Sequence, residues 1–377
     1  MNLSYWEKSS FINYDIIIIG GGLVGLSTAI SIKEKAKQKR VLVLDRGILP
    51  SGASTKNAGF ACVGSLTEIL DDLATLPETK AIELVNLRKN GLTKLRQRLG
   101  DSNIGYEQNG SYELIGEKEL EAINEIKHIN NLLYASLKSN AFELGDEKIE
   151  AFKFDKNYCR HLIRNTCEGE INTGKMMRSL IDCCLVHGIE IKTGVDVSCF
   201  EEKKDGIHVT LNNHTLKLVA QQLVICNNAF AKKLLPKVNV TPGRGQVLIT
   251  KPIPNLSFKG IFHFDKGYYY FREIEGRILF GGGRNLDFEG ETTTEFGANA
   301  KIQEKLIHIL KTVVAPHHVV EVDYWWSGIM AFGTNKFPIV ERISSHVYAG
   351  VRMGGMGVAI GSETAEQLAT LVLTDNK

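Results

Sequence analysis

One-sided charge is missing from this sequence: 45 Lys and Arg against 43 Asp and Glu leave a formal charge of +2 over 377 residues. That excludes the basic footprint on which nucleic-acid binding depends. The seven cysteines (Cys62, Cys159, Cys167, Cys183, Cys184, Cys199 and Cys226) form no C-x-x-C and no metal-ligand spacing, so no metal site and no redox dithiol is expected. An odd, scattered set fits reduced thiols in a cytoplasm, most of them small core residues. No uninterrupted apolar stretch reaches the roughly 18 residues of a membrane span. The one apolar run near the start follows Asp15, is broken by glycines and precedes no cleavage site, which argues against a signal peptide. Internal repeats and low-complexity tracts are also missing. What remains is an ordinary globular composition, 43% hydrophobic and 23% charged, in a chain long enough for two domains.

The most informative segment is Tyr14 to Ala29, Y-D-I-I-I-I-G-G-G-L-V-G-L-S-T-A. Four isoleucines, Ile16 to Ile19, read as a strand buried on both faces. Gly20, Gly22 and Gly25 then match G-x-G-x-x-G at the turn into a helix. The first glycine permits the tight turn, the second lets a pyrophosphate approach the backbone, and the third lets helix and strand pack closely. The helix N-terminus, with Leu23 and Val24 in its first turn, offers free N–H groups and partial positive charge to phosphates. A second β run, Val41 to Leu44, ends in Asp45, 20 residues past Gly25 (45 − 25). That is where an acid bonds the ribose hydroxyls of a dinucleotide. Another α/β fold can show the same glycines, and it is the whole context that favours the dinucleotide reading.

Further along, Gly47 to Gly64 reads as a long ordered loop around S-G-A-S-T-K-N-A-G-F, and such loops usually bind something. Helical patterns cover about 66–75, 78–99, 117–138 and 174–187, with a strand at Gly110 to Ile115. Ile189 to Thr193 reads as a strand. Val195 to Phe200, Ile207 to Leu211 and Thr215 to Leu218 read as a small antiparallel meander, and Gln222 to Cys226 as a separate buried strand. From Pro242 to Ile329 long alternating strands dominate, Tyr268 to Arg272 and Arg277 to Gly281 foremost, interrupted by a helix at about 299–314. Pro338 to Val340, Val347 to Gly350 and a last helix at about 358–373 return to α/β character. The expectation is an α/β chain (α+β overall), with a Rossmann-type nucleotide-binding domain interleaved with a mixed, largely antiparallel β-sheet domain. Residues 1–65, 150–240 and 335–377 are assigned to the first domain, and 66–149 and 241–334 to the second.

The segment Tyr348 to Gly361, Y-A-G-V-R-M-G-G-M-G-V-A-I-G, is a second strand, glycine loop and helix. Together with Asp45 and the G-A-S-x-x-N-x-G loop it exceeds what NAD requires and suits FAD, held at its adenosine, pyrophosphate and flavin ends. At this point the chain resembles the D-amino-acid oxidase family of flavoproteins, in which glycine oxidase and sarcosine oxidase are named members. The resemblance covers almost the whole length. It also rests on I-N-T-G-K (Ile171 to Lys175), V-I-C-N-N-A-F-A (Val224 to Ala231), P-G-R-G-Q-V (Pro242 to Val247), G-Y-Y-Y-F (Gly267 to Phe271) and W-S-G-I-M-A-F (Trp326 to Phe332).

The resemblance implies roles by matching position. Gly20, Gly22, Gly25 and Asp45 would hold ADP. Arg46, Ser54, Asn57, Ala58, Gly59 and Asn227 would line the pyrophosphate and flavin, and Val195 or Val197 would meet the adenine. Arg352, Gly354, Gly355, Met356, Gly357 and Val358 would lie by the flavin ring, with the last helix favouring negative charge there. The implied reaction is hydride transfer from a C–H beside nitrogen to flavin N5, giving an imine that hydrolyses. The substrate amine must then be neutral, and a lysine-like amine has a reference pKa of about 10.4, which desolvation would lower.

Substrate recognition departs from the pattern. Glycine oxidase-like members carry an arginine where Met330 stands, whereas Arg352 matches a second carboxylate-binding arginine. Arg272 and Arg284 are candidate replacements. Tyr268, Tyr269, Tyr270 and Phe271 alternate faces, so only some can line a pocket. Strand aromatics are as readily sheet core. His263 sits on a substrate-domain strand and could touch a ligand. For His263, His317 and His318, structural or solvated roles are expected over catalysis, and for Trp325 and Trp326, packing. No cysteine falls in the C-terminal flavin-facing segments, so FAD is expected to be non-covalent. The oxygen-activating lysine of sarcosine oxidases has no counterpart, Phe280 or Gly281 standing there, which leaves O₂ or another electron acceptor open. The alternatives are a 2-hydroxy-acid or glycerol-phosphate dehydrogenase, and a flavin-binding partner or sensor module without turnover.

Overall fold

The computed structural model describes residues 3–374. Two eight-stranded sheets organise the chain. In the first, Asn13–Ile19 lies at the centre between Lys217–Ile225 and Val41–Leu44, with Val347–Val351 and Glu190–Lys192 outside them. All of these neighbours pair in parallel. The isoleucine run is buried on both faces, as its lack of alternation implies. Ile16 and Ile18 enter one core cluster and Ile17 and Ile19 the other. Gly25, in the helix Leu23–Lys35, lies against the Gly20 carbonyl, which any Cβ there would strike. That contact sets the depth of the helix on the sheet. The C-terminal helix Gly357–Thr374 packs beside it and on Glu78–Leu99.

The second sheet runs in the order Val322–Phe332, Thr241–Thr250, Arg277–Gly282, Tyr269–Ile274, Ile261–Phe264, Ser111–Ile115, His161–Asn165 and Phe142–Leu144. Every pairing is antiparallel except Ile261–Phe264 with Ser111–Ile115. One face carries an aromatic core in which Phe262 and Phe271 stack with centroids 4.6 Å apart. The helix Ala300–Ile309 covers this core. Offset stacking of this kind adds about 0.5–1.5 kcal/mol beyond area burial.

Several local expectations change. Lys217–Ile225 is one strand rather than two: its first half pairs antiparallel with Gly206–Leu211 and its second half parallel with the isoleucine strand. The pattern 117–138 opens as a 3₁₀ stretch, Glu117–Glu125, before the α-helix Ile126–Leu137. The loop 47–64 contains a short helix, Ala53–Lys56, and a strand, Phe60–Ala61. Two elements also lie across the expected domain division. His161–Asn165 belongs to the second sheet. Glu78–Leu99 packs on the C-terminal helix Gly357–Thr374, which in turn packs on Leu23–Lys35 of the first sheet's layer. Strand pairing and an apolar helix face decide where these two elements lie. No helix among the described residues is long and apolar enough to cross a membrane.

Candidate active site

A cavity of about 1060 Å³ runs between the two sheets. One end is built on the fingerprint. Asp45, at the end of its strand, accepts hydrogen bonds from the backbone N–H groups of Gly21 and Gly47, each 2.8 Å. The Ser54 hydroxyl accepts from the Leu23 N–H at 2.9 Å, which ties the 47–64 loop to the helix N-terminus. Gly20, Gly22, Leu23, Val24, Asp45, Arg46, Ser54, Asn57, Ala58, Val195, Val197, Asn227, Gly354, Gly355, Met356, Gly357 and Val358 all line this one cavity. Of the expected cofactor residues only Gly25 and Gly59 stand outside its lining. Gly25 serves the helix packing described above. Gly59 is wedged behind the lining loop against the Ile171 carbonyl and Arg272.

The far wall comes from the second sheet. The alternation of its aromatic strand sends Tyr269 and Phe271 into the core, whereas Tyr268 and Tyr270 line the cavity with His263, Arg284 and Met330. The Nε2 of His263 is buried without a hydrogen-bond partner among the described residues, and its ring meets Phe60 edge-on at 5.0 Å. Burial raises the Tyr270 hydroxyl to about 12. His317 and His318 lie outside the cavity lining, as do Trp325 and Trp326. The Trp326 indole N–H donates to the Lys56 carbonyl at 3.0 Å.

Arg352 corrects a sequence expectation. It does not line the cavity. Its guanidinium donates to the carbonyls of Phe337 (2.9 Å) and Asn239 (3.3 Å) and to Oδ1 of Asn335 (3.0 Å). The residue holds φ +68°. Each of its three nitrogens donates to the chain and the residue lies outside the cavity lining, so it braces the loop. Arg272 is likewise turned away: it donates to the carbonyls of Ala58, Gly59 and Ile171 (3.4, 3.3 and 2.8 Å) and pairs with Glu170 at 3.3 Å.

Several supporting residues had no signal in the sequence. Glu168 accepts from the N–H groups of Val63 and Gly64 and from the Ser111 hydroxyl. Glu113 accepts from Ser65, from the Thr67 hydroxyl and from the Thr67 N–H. Burial pushes the Glu113 carboxyl up to about 7 despite those bonds. Asn228 Oδ1 receives the N–H groups of Arg352 and Met353 at 3.0 and 3.4 Å. The visible trace of this last role was only the Asn227-Asn228 pair.

The family described as FAD dependent oxidoreductase matches residues 15–371. The chain belongs to that family. It is 23% identical over 388 residues to the probable oxidoreductase OrdL of Haemophilus influenzae, covering 96% of this chain and 84% of that one. Its fold is similar to glycine oxidase from Geobacillus kaustophilus (TM-score 0.76, 18% identity, 96% and 95% of the two chains). It is equally similar to L-proline dehydrogenase from P. horikoshii (TM-score 0.76, 17% identity, 97% and 94%). At these identities the likeness carries the fold: a mixed α/β architecture with two mixed sheets.

The lining fits FAD on its own terms. Asn227 Oδ1 is a buried acceptor with no partner among the described residues, at the cavity wall beside the fingerprint. Gly22 leaves the space before Ser54 open, since a Cβ there would stand 2.9 Å from the hydroxyl. Two helices, Leu23–Lys35 and Gly357–Thr374, begin at the cavity, each with positive dipole ends for anionic groups. Asp45→Ala is expected to weaken FAD binding by about 1.5–3 kcal/mol, the scale of a charged hydrogen bond. Fluorescence titration of the apoprotein with FAD checks this; unchanged affinity would remove Asp45 from the adenosine end.

Proposed function

We propose that this protein is an FAD-dependent oxidoreductase of a C–N bond in a small amine or amino acid, with FAD held non-covalently and a separate small acceptor taking the electrons. FAD, when bound, supplies a two-electron acceptor for a hydride from the carbon beside nitrogen. The first sheet then serves as the FAD-binding domain and the second as the substrate domain. The observation that carries the reading is the continuity of one cavity from Asp45 and the fingerprint to Tyr268, Tyr270, His263, Arg284 and Met330. Similar folds are named for oxidation of such compounds: glycine oxidase, L-proline dehydrogenase and iminodiacetate oxidase.

The chain's own residues contribute position and dielectric. Tyr270, Met330 and Phe332 exclude water from the wall they share. A desolvated amine loses its proton more readily, and the guanidinium of Arg284 in the same cavity disfavours an ammonium further. The oxidised amine leaves as an imine, which water hydrolyses. Non-covalent attachment is favoured by the two cysteines at the cavity. Burial pushes the Cys62 thiol well above its ordinary range and that of Cys226 to about 12, so neither presents a thiolate.

Anaerobic mixing of the FAD-loaded protein with amines, amino acids and 2-hydroxy acids tests the reading. Amines or amino acids should bleach the oxidised flavin band. Bleaching by hydroxy acids alone would overturn it in favour of a hydroxy-acid dehydrogenase.

A further inference from the structure

The strands Asn13–Ile19, Val41–Leu44 and Glu190–Lys192 run in parallel, so the segments that lead into them gather at one end of the first sheet. Those segments are the helix Tyr5–Phe11, the turn 36–40 and the end of the helix Thr173–Val186. Arg40 ties them together: its guanidinium donates to the Ser10 carbonyl at 2.7 Å and to Glu190 at 3.3 Å. Large apolar side chains stand out into water here. Tyr5 and Trp6 are each 73% exposed, Phe11 57%, Leu185 60% and Val186 85%. Single exposed apolar residues are ordinary, but a concentration of them at one place marks a contact surface.

The helix Tyr5–Phe11 has no packing reason to form, since none of its residues is buried. Seven residues are also too few for a stable isolated helix. Its ends are nevertheless fixed. Ser4 and Glu7 form a capping box, each side chain accepting from the other's backbone N–H. Asn13 donates to the Lys8 carbonyl at 3.2 Å. The rings are thus held in place, Tyr5 and Trp6 edge to face at 5.2 Å.

The same end is cationic. Lys33, Lys35, Lys37, Lys39 and Arg40 lie at and just past the end of the helix Leu23–Lys35, and Lys8 lies on the helix before them. The acids nearby are engaged: Glu7 in the capping box, Asp15 by Lys39, Glu34 by Arg98, Glu190 by Arg40 and Tyr14, and Glu366 by Lys35 and Lys94. Lys8, Lys33 and Lys37 have no acidic partner among the described residues, and Lys33 donates only to the carbonyls of Lys37 and Lys39. Rings, aliphatic tips and lysines on one surface suit a lipid interface. The rings sit at headgroup level, the aliphatic tips reach the acyl boundary, and the lysines meet anionic headgroups. A second copy of the chain fits worse, because a twofold contact would press lysines against lysines.

We propose that this end of the first sheet docks the protein on an anionic lipid surface, with the helix Tyr5–Phe11 lying in the interface. The cavity stays clear of the contact, because Gly20, Asp45 and Val195, which line it, follow the opposite ends of the same strands.

The test is co-sedimentation of the FAD-loaded protein with vesicles of phosphatidylcholine, alone or in equal mixture with phosphatidylglycerol. The protein should pellet with the mixed vesicles, stay in solution with phosphatidylcholine alone, and be released by salt. Tryptophan fluorescence should shift to the blue on binding, and Trp6→Ala should remove that shift. Lys8→Glu with Lys37→Glu should weaken partitioning at least about tenfold, at roughly fivefold per charge. Trp6→Ala with Val186→Ser should weaken it while keeping the preference for anionic lipid. All four positions are exposed, so FAD loading should be unchanged in the variants, which checks that they fold. No pelleting with the mixed vesicles, equal pelleting with both kinds, or pelleting that neither double variant alters would overturn the proposal. A concentration-dependent dimer in sedimentation equilibrium that Trp6→Ala abolishes would overturn it too, by assigning this end to a second copy of the chain.

Discussion

Replacing Arg272 by methionine is expected to cost about 3–5 kcal/mol of stability, the penalty for removing one partner of a buried ion pair. Arg272 is 7% exposed and Glu170 4%. Besides the pair at 3.3 Å, Arg272 satisfies the carbonyls of Ala58, Gly59 and Ile171, which tie the cavity-lining loop to the segment before Thr173–Val186. Methionine fills much of the volume and supplies no donor, so those carbonyls and the Glu170 carboxylate lose their compensation together. Burial already raises the Glu170 carboxyl, and Arg272 opposes that rise. Without the arginine the folded-state value climbs further above the unfolded one. Between them the folded variant binds more protons than the unfolded chain, so its stability falls as pH rises through that window. The cost of the substitution should therefore shrink on acidification towards the ordinary carboxyl value of 4.5. Chemical denaturation of wild type and variant at several pH values measures this. A loss under about 1 kcal/mol, or one that grows in acid, would show that Arg272 does not brace the loop. FAD affinity should fall in the same variant, because Ala58 lines the cavity that the brace holds open.

The contrast between Arg352, Arg272 and Arg284 marks where sequence reasoning stops. The isoleucine run, its glycines and Asp45 were legible because each role belongs to the backbone: a strand without polar positions, a turn without Cβ, an acid at a fixed distance. Those constraints are local, and local pattern carries them. The orientation of an arginine is not local. Arg352 sits in a motif that touches the cavity, yet its side chain turns back to three acceptors supplied by residues 239, 335 and 337. Arg284 lies after a strand end and carries no motif, yet its guanidinium faces the cavity because Gly243, some 40 residues earlier (284 − 243 = 41), is bare. The aromatic strand lies between these extremes. Its alternation predicts that Tyr268 and Tyr270 share a face, and only sheet pairing decides that this face is the cavity. Pairing likewise moved His161–Asn165 into the second sheet, where Ser111–Ile115 offered a free edge.

Glu291→Ala should be the second most damaging substitution, by up to about 3 kcal/mol, since it strands the partly exposed charge of Arg244 beside a fully buried site. Glu291 is 0% exposed and accepts both nitrogens of the Arg244 fork, at 3.0 and 2.8 Å, with Gln246 and Asn299 completing its shell. The Arg244 N–H also donates to the Glu291 carbonyl at 2.7 Å. Through these bonds the strand Thr241–Thr250 pins the segment 284–299, which supplies Arg284, Phe288 and Thr294 to the cavity. Burial alone would raise the Glu291 carboxyl, and the hydrogen bonds from Arg244, Asn299 and Gln246 outweigh it, so the group is held below its ordinary value. A depressed folded-state value contributes stability above the unfolded value and loses it as pH falls through the folded one. Wild type should therefore lose part of its stability on the acid side, and Glu291→Ala should lack that part of the slope. Glu291→Gln keeps the volume and some of the bonds, and should cost less. The adenosine end of the cavity rests on other elements, so FAD affinity should stay within about twofold, on the additivity of distant sites. A variant whose FAD affinity falls by about tenfold or more would place this network at the adenosine end of the cavity instead.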